Sequence, residues 1–123
     1  MFKKQERHRP IPGYEVLLIS KDQPTIQLMK RYFDLNQFKI YLESNCSQAW
    51  KAIQKITPLV ILLDKSLPEE NRNKFLKKKE LNAKLRDVPV NLFTRKEYER
   101  KGMFKRRNDK EPYKEDIVDF FRF

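Results

Sequence analysis

Residues 58–64 have the sequence Pro-Leu-Val-Ile-Leu-Leu-Asp, the most apolar run in the chain, which stops at Asp64. Apolar side chains that follow one another without alternation are typical of a strand covered on both faces, as in a parallel sheet. Residues 14–20 and residues 88–94 form similar β-rich runs, and residues 38–43 alternate between apolar and polar side chains. The sequence therefore predicts four strands, with the run before Asp64 as the most deeply buried.

Helical patterns lie between these strands. The predicted helices begin at Pro24, at Asn45 or Ser47, at Glu69, at Arg95 and after Pro112. Proline is tolerated in the first turn of a helix, and asparagine and serine are good caps of the N-terminus. The first helix is predicted to end near Asn36 and the third to run to about Arg86. Strands that alternate with helices predict a parallel sheet with helices on both faces.

Composition excludes several classes of protein. A chain of 123 residues predicts one folded domain, over residues 14–123, after a basic leader over residues 1–13. One cysteine and one histidine exclude an internal disulfide and a Cys/His zinc site. No apolar stretch approaches the ~20 residues that cross a bilayer. The N-terminus lacks the apolar segment of a secretory signal. We therefore expect a cytoplasmic protein without a membrane partner.

Charged and polar residues follow the predicted strands directly. In an open parallel sheet the ligand site lies beyond the carboxyl ends of the strands, where the strand order reverses. Lys21 and Asp22 follow the first strand, Asp64 ends the third, and Thr94 ends the fourth. These four residues are the candidate site.

Four segments, in this order, resemble the receiver domain of two-component response regulators. They are Val-Leu-Leu-Ile-Ser-Lys-Asp-Gln-Pro at residues 16–24, Val-Ile-Leu-Leu-Asp-Lys-Ser-Leu-Pro at residues 60–68, Val-Pro-Val-Asn-Leu-Phe-Thr at residues 88–94 and, more weakly, Lys-Glu-Pro at residues 110–112. The resemblance implies a flavodoxin-like α/β sandwich of three layers with a parallel sheet of order 2-1-3-4-5. The fifth strand has the least support, since residues 103–111 contain no apolar run of strand length.

The resemblance also implies roles for individual residues. Asp64 would be the phosphoacceptor, a carboxylate that takes a phosphoryl group from a histidine kinase or a phosphotransfer protein. Asp22, Asp64 and the backbone carbonyl of Ser66 would hold Mg²⁺. Thr94 would be the switch hydroxyl, and Lys110 the lysine that pairs with the phosphoryl group, although Glu111 separates it from Pro112. Such a domain is not an enzyme beyond its own phosphorylation and dephosphorylation.

Two substitutions depart from the family pattern. Lys21 stands where receivers place the first of two acids, so the pocket gains a positive charge and its affinity for Mg²⁺ should fall. Arg95 follows Thr94 where the family prefers a small residue, which crowds the mouth of the pocket. We expect a stand-alone receiver in phosphorelay signalling, either phosphorylated at Asp64 or an atypical pseudo-receiver that acts through protein contacts on a downstream target. The sequence leaves open whether the chain forms a homodimer.

The formal charge of +11 suggests an alternative function. Residues 65–86 contain eight Lys or Arg against three Asp or Glu, a net of +5, and residues 95–110 have the same counts. A possible basic patch consists of Lys77, Lys78, Lys79, Arg106 and Arg107. Clustered cations bind phosphates by releasing counterions. A basic binding module for nucleic acid or an acidic protein is therefore the alternative, with a solvated helix face as the default explanation.

Overall fold

The computed structural model describes residues 10–100, with side chains described as far as Glu97. The elements are β1 (Glu15–Ile19), α1 (Gln23–Leu35), β2 (Lys39–Glu43), α2 (Cys46–Ile53), β3 (Val60–Asp64), α3 (Glu69–Glu80), β4 (Val90–Phe93) and α4 (Arg95–Arg100). The predicted fifth strand, the predicted last helix and the site residues Arg106, Arg107 and Lys110 lie outside the described residues, as do residues 1–9.

The end of the predicted leader contacts the domain. Ile11 donates its backbone N–H to the carbonyl of Gln37 at 2.9 Å, and Tyr14 donates to the carbonyl of Ile11 at 2.9 Å. Gly13, between them, has a φ of 87°, which glycine adopts without steric cost. The hydrogen-bonded structure therefore includes Ile11, three residues before the predicted domain boundary.

The sheet has four parallel strands in the order β2-β1-β3-β4. Val16 of β1 pairs with Val60 of β3, and Asp64 at the end of β3 pairs with Phe93 of β4. The strand order reverses between β1 and β3, because β2 lies on one side of β1 and β4 beyond β3. This confirms the predicted parallel α/β fold and the first four positions of the strand order.

Each face of the sheet carries its own apolar core. On one face Val16, Leu18 and Leu62 pack with Met29 and Phe33 of α1. On the other face the intervening strand residues pack with α2, α3 and the segment after α3; they are Leu17, Ile19, Ile61 and Leu63. Successive strand residues point to opposite faces, so only a run that is apolar throughout can serve both cores. This is why residues 16–19 and 60–63 do not alternate.

Side chains at the helix ends explain where α1 and α2 begin. Asp22 is the N-cap of α1, with Pro24 in its first turn, and Asn36 is the C-cap. Asn45, rather than Ser47, caps α2, and its side-chain oxygen accepts from the N–H of Gln48 at 2.8 Å. No helix among residues 10–100 is long and apolar enough to cross a bilayer.

Helix α3 is shorter than its sequence predicts, because it ends at Glu80 instead of running to Arg86. Asn82 stops it, since its side-chain oxygen accepts from the N–H groups of Lys84 at 2.9 Å and Leu85 at 3.1 Å. Asparagine side chains compete in this way with the helical hydrogen bonds. The turn that follows buries Leu85 against the sheet.

The same turn buries Lys79, which the sequence placed in an exposed basic patch. Its side chain is 7% exposed, and Nζ donates to the carbonyl of Arg86 at 2.9 Å. Burial lowers the pKa of Lys79, while the carboxylates of Glu80 and Asp87 oppose that effect. Lys79 therefore joins α3 to the following turn and does not belong to the patch.

We expect Lys79→Met to raise the free energy of unfolding near neutral pH by about 1 kcal/mol. The substitution replaces a desolvated charge by an apolar side chain of similar length. A lysine whose pKa is lower in the folded state costs stability below that pKa. This cost disappears as pH rises toward the ordinary lysine pKa of about 10.4. Wild-type stability should thus rise relative to the variant in that alkaline window. Urea unfolding near neutral pH and again in the alkaline window measures the difference in stability between the wild type and the variant. The exposed Lys77→Met is the control. A less stable Lys79→Met at neutral pH would show that the bond to Arg86 outweighs desolvation.

Candidate functional site

The carboxyl ends of β1, β3 and β4 lie side by side at one edge of the sheet. The loop after β1 carries Ser20 and Asp22, β3 ends at Asp64, and Thr94 follows β4 directly. We call these four residues, together with Arg95, the Asp64 pocket. It lies where the strand order reverses, which is the usual ligand position of such sheets.

Both carboxylate oxygens of Asp64 accept hydrogen bonds. The hydroxyl of Ser20 donates to Oδ2 at 2.7 Å, and the backbone N–H of Ser66 donates to Oδ1 at 2.9 Å. The Ser20 hydroxyl also accepts from the N–H of Asp22 at 3.0 Å. Asp64 is only 3% exposed, so these donors replace water around a buried carboxylate. Ser20 thereby ties the loop after β1 to the end of β3.

The carboxylate of Asp22 is also occupied. Its Oδ2 accepts from the N–H of Thr25 at 3.3 Å and from the hydroxyl of Thr25, which caps α1. The same oxygen lies 3.5 Å from Nε of Arg95. The guanidinium predicted to crowd the pocket mouth thus pairs with the pocket's second acid. The Arg95 side chain is 46% exposed, so the ion pair contributes only about 0–1 kcal/mol.

Thr94 caps α4 through reciprocal bonds with Glu97. The N–H of Thr94 donates to Oε1 of Glu97 at 3.0 Å, and the N–H of Glu97 donates to the Thr94 hydroxyl oxygen at 3.2 Å. Oε2 of Glu97 lies 3.3 Å from Nζ of Lys65, the residue after Asp64. This capping box therefore fixes α4 beside the loop that follows β3.

Comparisons with known proteins bear on the fold. No family model matches the chain. Over 80 residues it is 29% identical to "Response regulator Rre1" of Synechocystis sp., which covers 63% of this chain. The chain spans 35% of that relative's length.

Solved structures share the fold. A two-component response regulator from Legionella pneumophila matches with a TM-score of 0.58 and 27% identity, over 75% of this chain and 78% of that one. The chemotaxis response regulator CheY4 of Vibrio cholerae matches with a TM-score of 0.59 and 17% identity, over 74% and 80%. The receiver domain of the sensor histidine kinase PA1611 of Pseudomonas aeruginosa matches with a TM-score of 0.63 and 16% identity, over 89% and 97%.

The chain has the fold of a response-regulator receiver domain. This confirms the resemblance that the sequence indicated. Receiver domains are signalling domains of two-component systems and not classical enzymes. The comparisons do not support the alternative of a basic binding module.

The structure does not bring together all the residues that the sequence singled out. Lys21 is exposed and has no hydrogen bond or ion pair among the described residues. Lys77 and Lys78 are exposed on α3, whereas Lys79 is buried beneath it. Among the described residues the predicted patch keeps Lys77 and Lys78, and Arg106 and Arg107 lie outside the described part of the chain.

Sequence analysis missed two residues that organise the Asp64 pocket. Ser20 is a polar residue at the end of an apolar strand, the same signal that singled out Thr94. Glu97 stands three positions after Thr94, which is the spacing of a capping box. Both signals were therefore available in the sequence, but their partners, Asp64 and Lys65, follow only from the packing of the strands.

Magnesium is the cation that the family implies, and the PA1611 receiver domain is described with a magnesium ion coordinated in its active-site cleft. Mg²⁺ favours carboxylate oxygens that can complete an octahedron with water. In this chain Oδ2 of Asp22 accepts from Thr25 and pairs with Arg95, so Oδ1 of Asp22, the Asp64 carboxylate and the Ser66 carbonyl are the oxygens that would hold the ion. Within residues 10–97 no group of three His, Cys, Asp or Glu side chains is placed to hold a metal ion, so this set would have only two carboxylates.

Proposed function

We propose that this receiver domain signals through protein–protein contacts, without magnesium-dependent phosphorylation of Asp64. One observation carries the proposal: Lys21 replaces one acid of the family pattern, and Oδ2 of the remaining acid, Asp22, accepts from Thr25 and pairs with Arg95. Its partners would be a histidine kinase or phosphotransfer protein and a downstream target.

The state of Asp64 supports the same proposal. A carboxylate nucleophile needs an oxygen with an unobstructed lone pair facing the phosphorus atom. Asp64 is 3% exposed, and each of its oxygens already accepts a hydrogen bond. Each oxygen keeps a second lone pair, so the burial of the carboxylate, and not its hydrogen bonds, limits the access of a phosphodonor.

The sizes of the charge effects indicate whether Lys21 or Arg95 weakens metal binding more. The exposed ion pair between Arg95 and Asp22 is too weak to exclude a divalent cation alone. Lys21 both removes an acid and adds a cation near the pocket, a change of two charges. Restoring a metal site should therefore require Lys21→Asp, with Arg95→Ala as an addition.

Phosphorylation at Asp64 is the second candidate function. It is favoured by the position of Asp64 at the carboxyl end of β3, with the N–H of Ser66 bonded to its carboxylate. In that case Asp64 would attack phosphorus, the bond from phosphorus to the donor would break, and an acyl phosphate would form. The hydroxyl of Thr94 and the ammonium of Lys110 would then respond to the phosphoryl group.

Incubation with Mg²⁺ and acetyl phosphate, followed by intact-mass measurement, separates the two candidates. We expect no phosphoryl adduct on the wild type, because the pocket lacks a ready metal site. The double variant Lys21→Asp/Arg95→Ala should gain one phosphoryl group, since it restores the acid and removes the guanidinium from Asp22. Adding Asp64→Asn to that variant should abolish the adduct.

A wild-type adduct that Asp64→Asn removes would overturn the proposal in favour of phosphorylation. Beryllium fluoride with Mg²⁺ provides a second measurement. It should leave the melting temperature of the wild type unchanged and raise that of the double variant, because a ligand that binds only the folded state stabilises it. Failure of both tests in the double variant would show that the block does not lie in Lys21 and Arg95.

A further inference from the structure

A cleft lies between α2 and α3, and none of its lining residues belongs to the Asp64 pocket. Its volume is about 610 Å³. Three lysines line it, Lys51 of α2 and Lys74 and Lys78 of α3, together with Trp50. The lining contains no acidic residue. The cleft is thus cationic and has one large aromatic surface.

These lysines are not neutralised within the described part of the chain. Its two ion pairs join Lys65 to Glu97 and Arg95 to Asp22, and neither reaches the cleft. Lys74 and Lys78 are separated by four residues on one helix, so their like charges repel. An anion bound between them would relieve that repulsion.

Trp50 is held in a fixed orientation at the cleft. Phe75, which is 2% exposed, packs against its ring edge-on, with centroids 6.0 Å apart and planes at 87°. Nζ of Lys78 lies 5.7 Å from the centroid of the Trp50 ring. An indole that is anchored by a core residue and stays half-buried offers a surface on which a planar base can stack.

A larger hollow beside α1 and β2 provides a contrast. Its volume is about 840 Å³, but its basic residues Lys30, Arg31 and Lys39 share it with Asp34, and it contains no tryptophan. Of these two hollows, only the α2–α3 cleft therefore has lysines, no acidic residue and an anchored indole.

We propose that the α2–α3 cleft binds a nucleotide unit, with its base stacked on Trp50 and its phosphate held by Lys51, Lys74 and Lys78. Lysine supplies point charges for phosphate, and stacking on an aromatic ring tolerates any base. The Lys78 ammonium would move from the indole to the phosphate, since a cation–π contact at an exposed site is weak. The same chemistry is offered by a free nucleotide and by single-stranded nucleic acid.

Titration of the full chain with adenosine monophosphate and, separately, with an oligouridylate tests the proposal. Trp50 is the single tryptophan, so quenching of its fluorescence reports directly on the cleft. Saturable quenching by both ligands identifies a site for a single nucleotide. Quenching by the oligonucleotide alone shows that the cleft takes its nucleotide unit from single-stranded nucleic acid. Quenching by polyglutamate but by neither nucleotide ligand would overturn the proposal in favour of an acidic peptide. Absence of quenching by all three would overturn it outright.

Variants locate the binding. Trp50→Ala should weaken binding of a labelled oligouridylate, measured by anisotropy, by about five- to a hundredfold, the usual effect of losing one stacked base. Each of Lys51→Gln, Lys74→Gln and Lys78→Gln should reduce the slope of log affinity against log salt by about 0.7. Lys30→Gln, in the other hollow, is the matched control and should change neither the affinity nor the salt slope.

If Trp50→Ala unfolds the chain, Trp50→Leu replaces it in the same assay. Equal effects of Lys30→Gln and Lys78→Gln would contradict a defined site. Because the Asp64 pocket is not altered, this test is independent of the proposed signalling function.

Discussion

Phe33→Ala is expected to lower the free energy of unfolding by about 3–5 kcal/mol, the usual cost of removing a buried phenyl ring. Phe33 lies on α1 with none of its side chain exposed. It meets Phe38 and Tyr32 edge-on, each with ring centroids 5.4 Å apart. The variant loses the transfer energy of the ring and leaves a cavity between α1 and the sheet. Typical domains are stable by only about 5–15 kcal/mol, so the variant should be close to unfolding.

Urea unfolding followed by circular dichroism measures this loss. Leu35→Ala is the matched control on the same helix, because Leu35 is 39% exposed and should change stability by no more than about 0.5 kcal/mol. If Phe33→Ala does not fold, Phe33→Leu keeps part of the volume and should show a smaller loss. Equal effects at positions 33 and 35 would mean that α1 does not anchor the core on this face.

Ser20→Ala should cost about 2–3 kcal/mol, the second-largest effect we expect. The substitution removes the hydroxyl that donates to Oδ2 of Asp64 and that accepts from the N–H of Asp22. Asp64 is buried, so water does not readily replace the lost donor, and an unsatisfied buried charge costs more than a neutral group. Unfolding in urea near neutral pH measures the loss.

Two controls show whether the loss comes from Asp64. Ser66→Ala removes an exposed hydroxyl but keeps the backbone N–H that bonds to Asp64, so stability should change by no more than about 0.5 kcal/mol. In a double-mutant cycle with Asp64→Ala, the cost of Ser20→Ala should largely disappear, because the acceptor is gone. If that cost persists in the absence of the Asp64 carboxylate, the Ser20–Asp64 bond is not its source.

The charge balance of the Asp64 pocket distinguishes this chain from the pattern of receiver domains. Where the pattern places the first of two acids, the chain has Lys21, and the other acid, Asp22, contacts Arg95 and Thr25. The buried carboxylate of Asp64 is held by donors from within the chain, Ser20 and Ser66. These contacts stabilise the fold and, under the proposed function, occupy the groups that a phosphoryl group and its cation would need.

The sequence alone determined the order of strands and helices, the parallel sheet and the place of Asp64. These follow from local signals, because an unbroken apolar run such as residues 60–63 can only be covered on both faces. Pro24 and the candidate caps Asn45 and Ser47 likewise act within one turn of their own helix, and the structure assigns the cap of α2 to Asn45. Such features depend on neighbours in the chain and can be predicted without knowing how the elements pack.

Only the tertiary structure decided which side chains meet. Ser20 reaches Asp64 because β1 and β3 are adjacent, with Ile19 paired to Leu63, and Arg95 reaches Asp22 because α4 begins at the same sheet edge. The turn after α3 buries Lys79, which its place in a run of lysines did not indicate. A hydrogen bond needs its donor and acceptor about 2.7–3.2 Å apart, so distant segments must be placed to within a few tenths of an ångström. Composition and spacing do not contain that information, which arises when the strands pair and the helices pack on them.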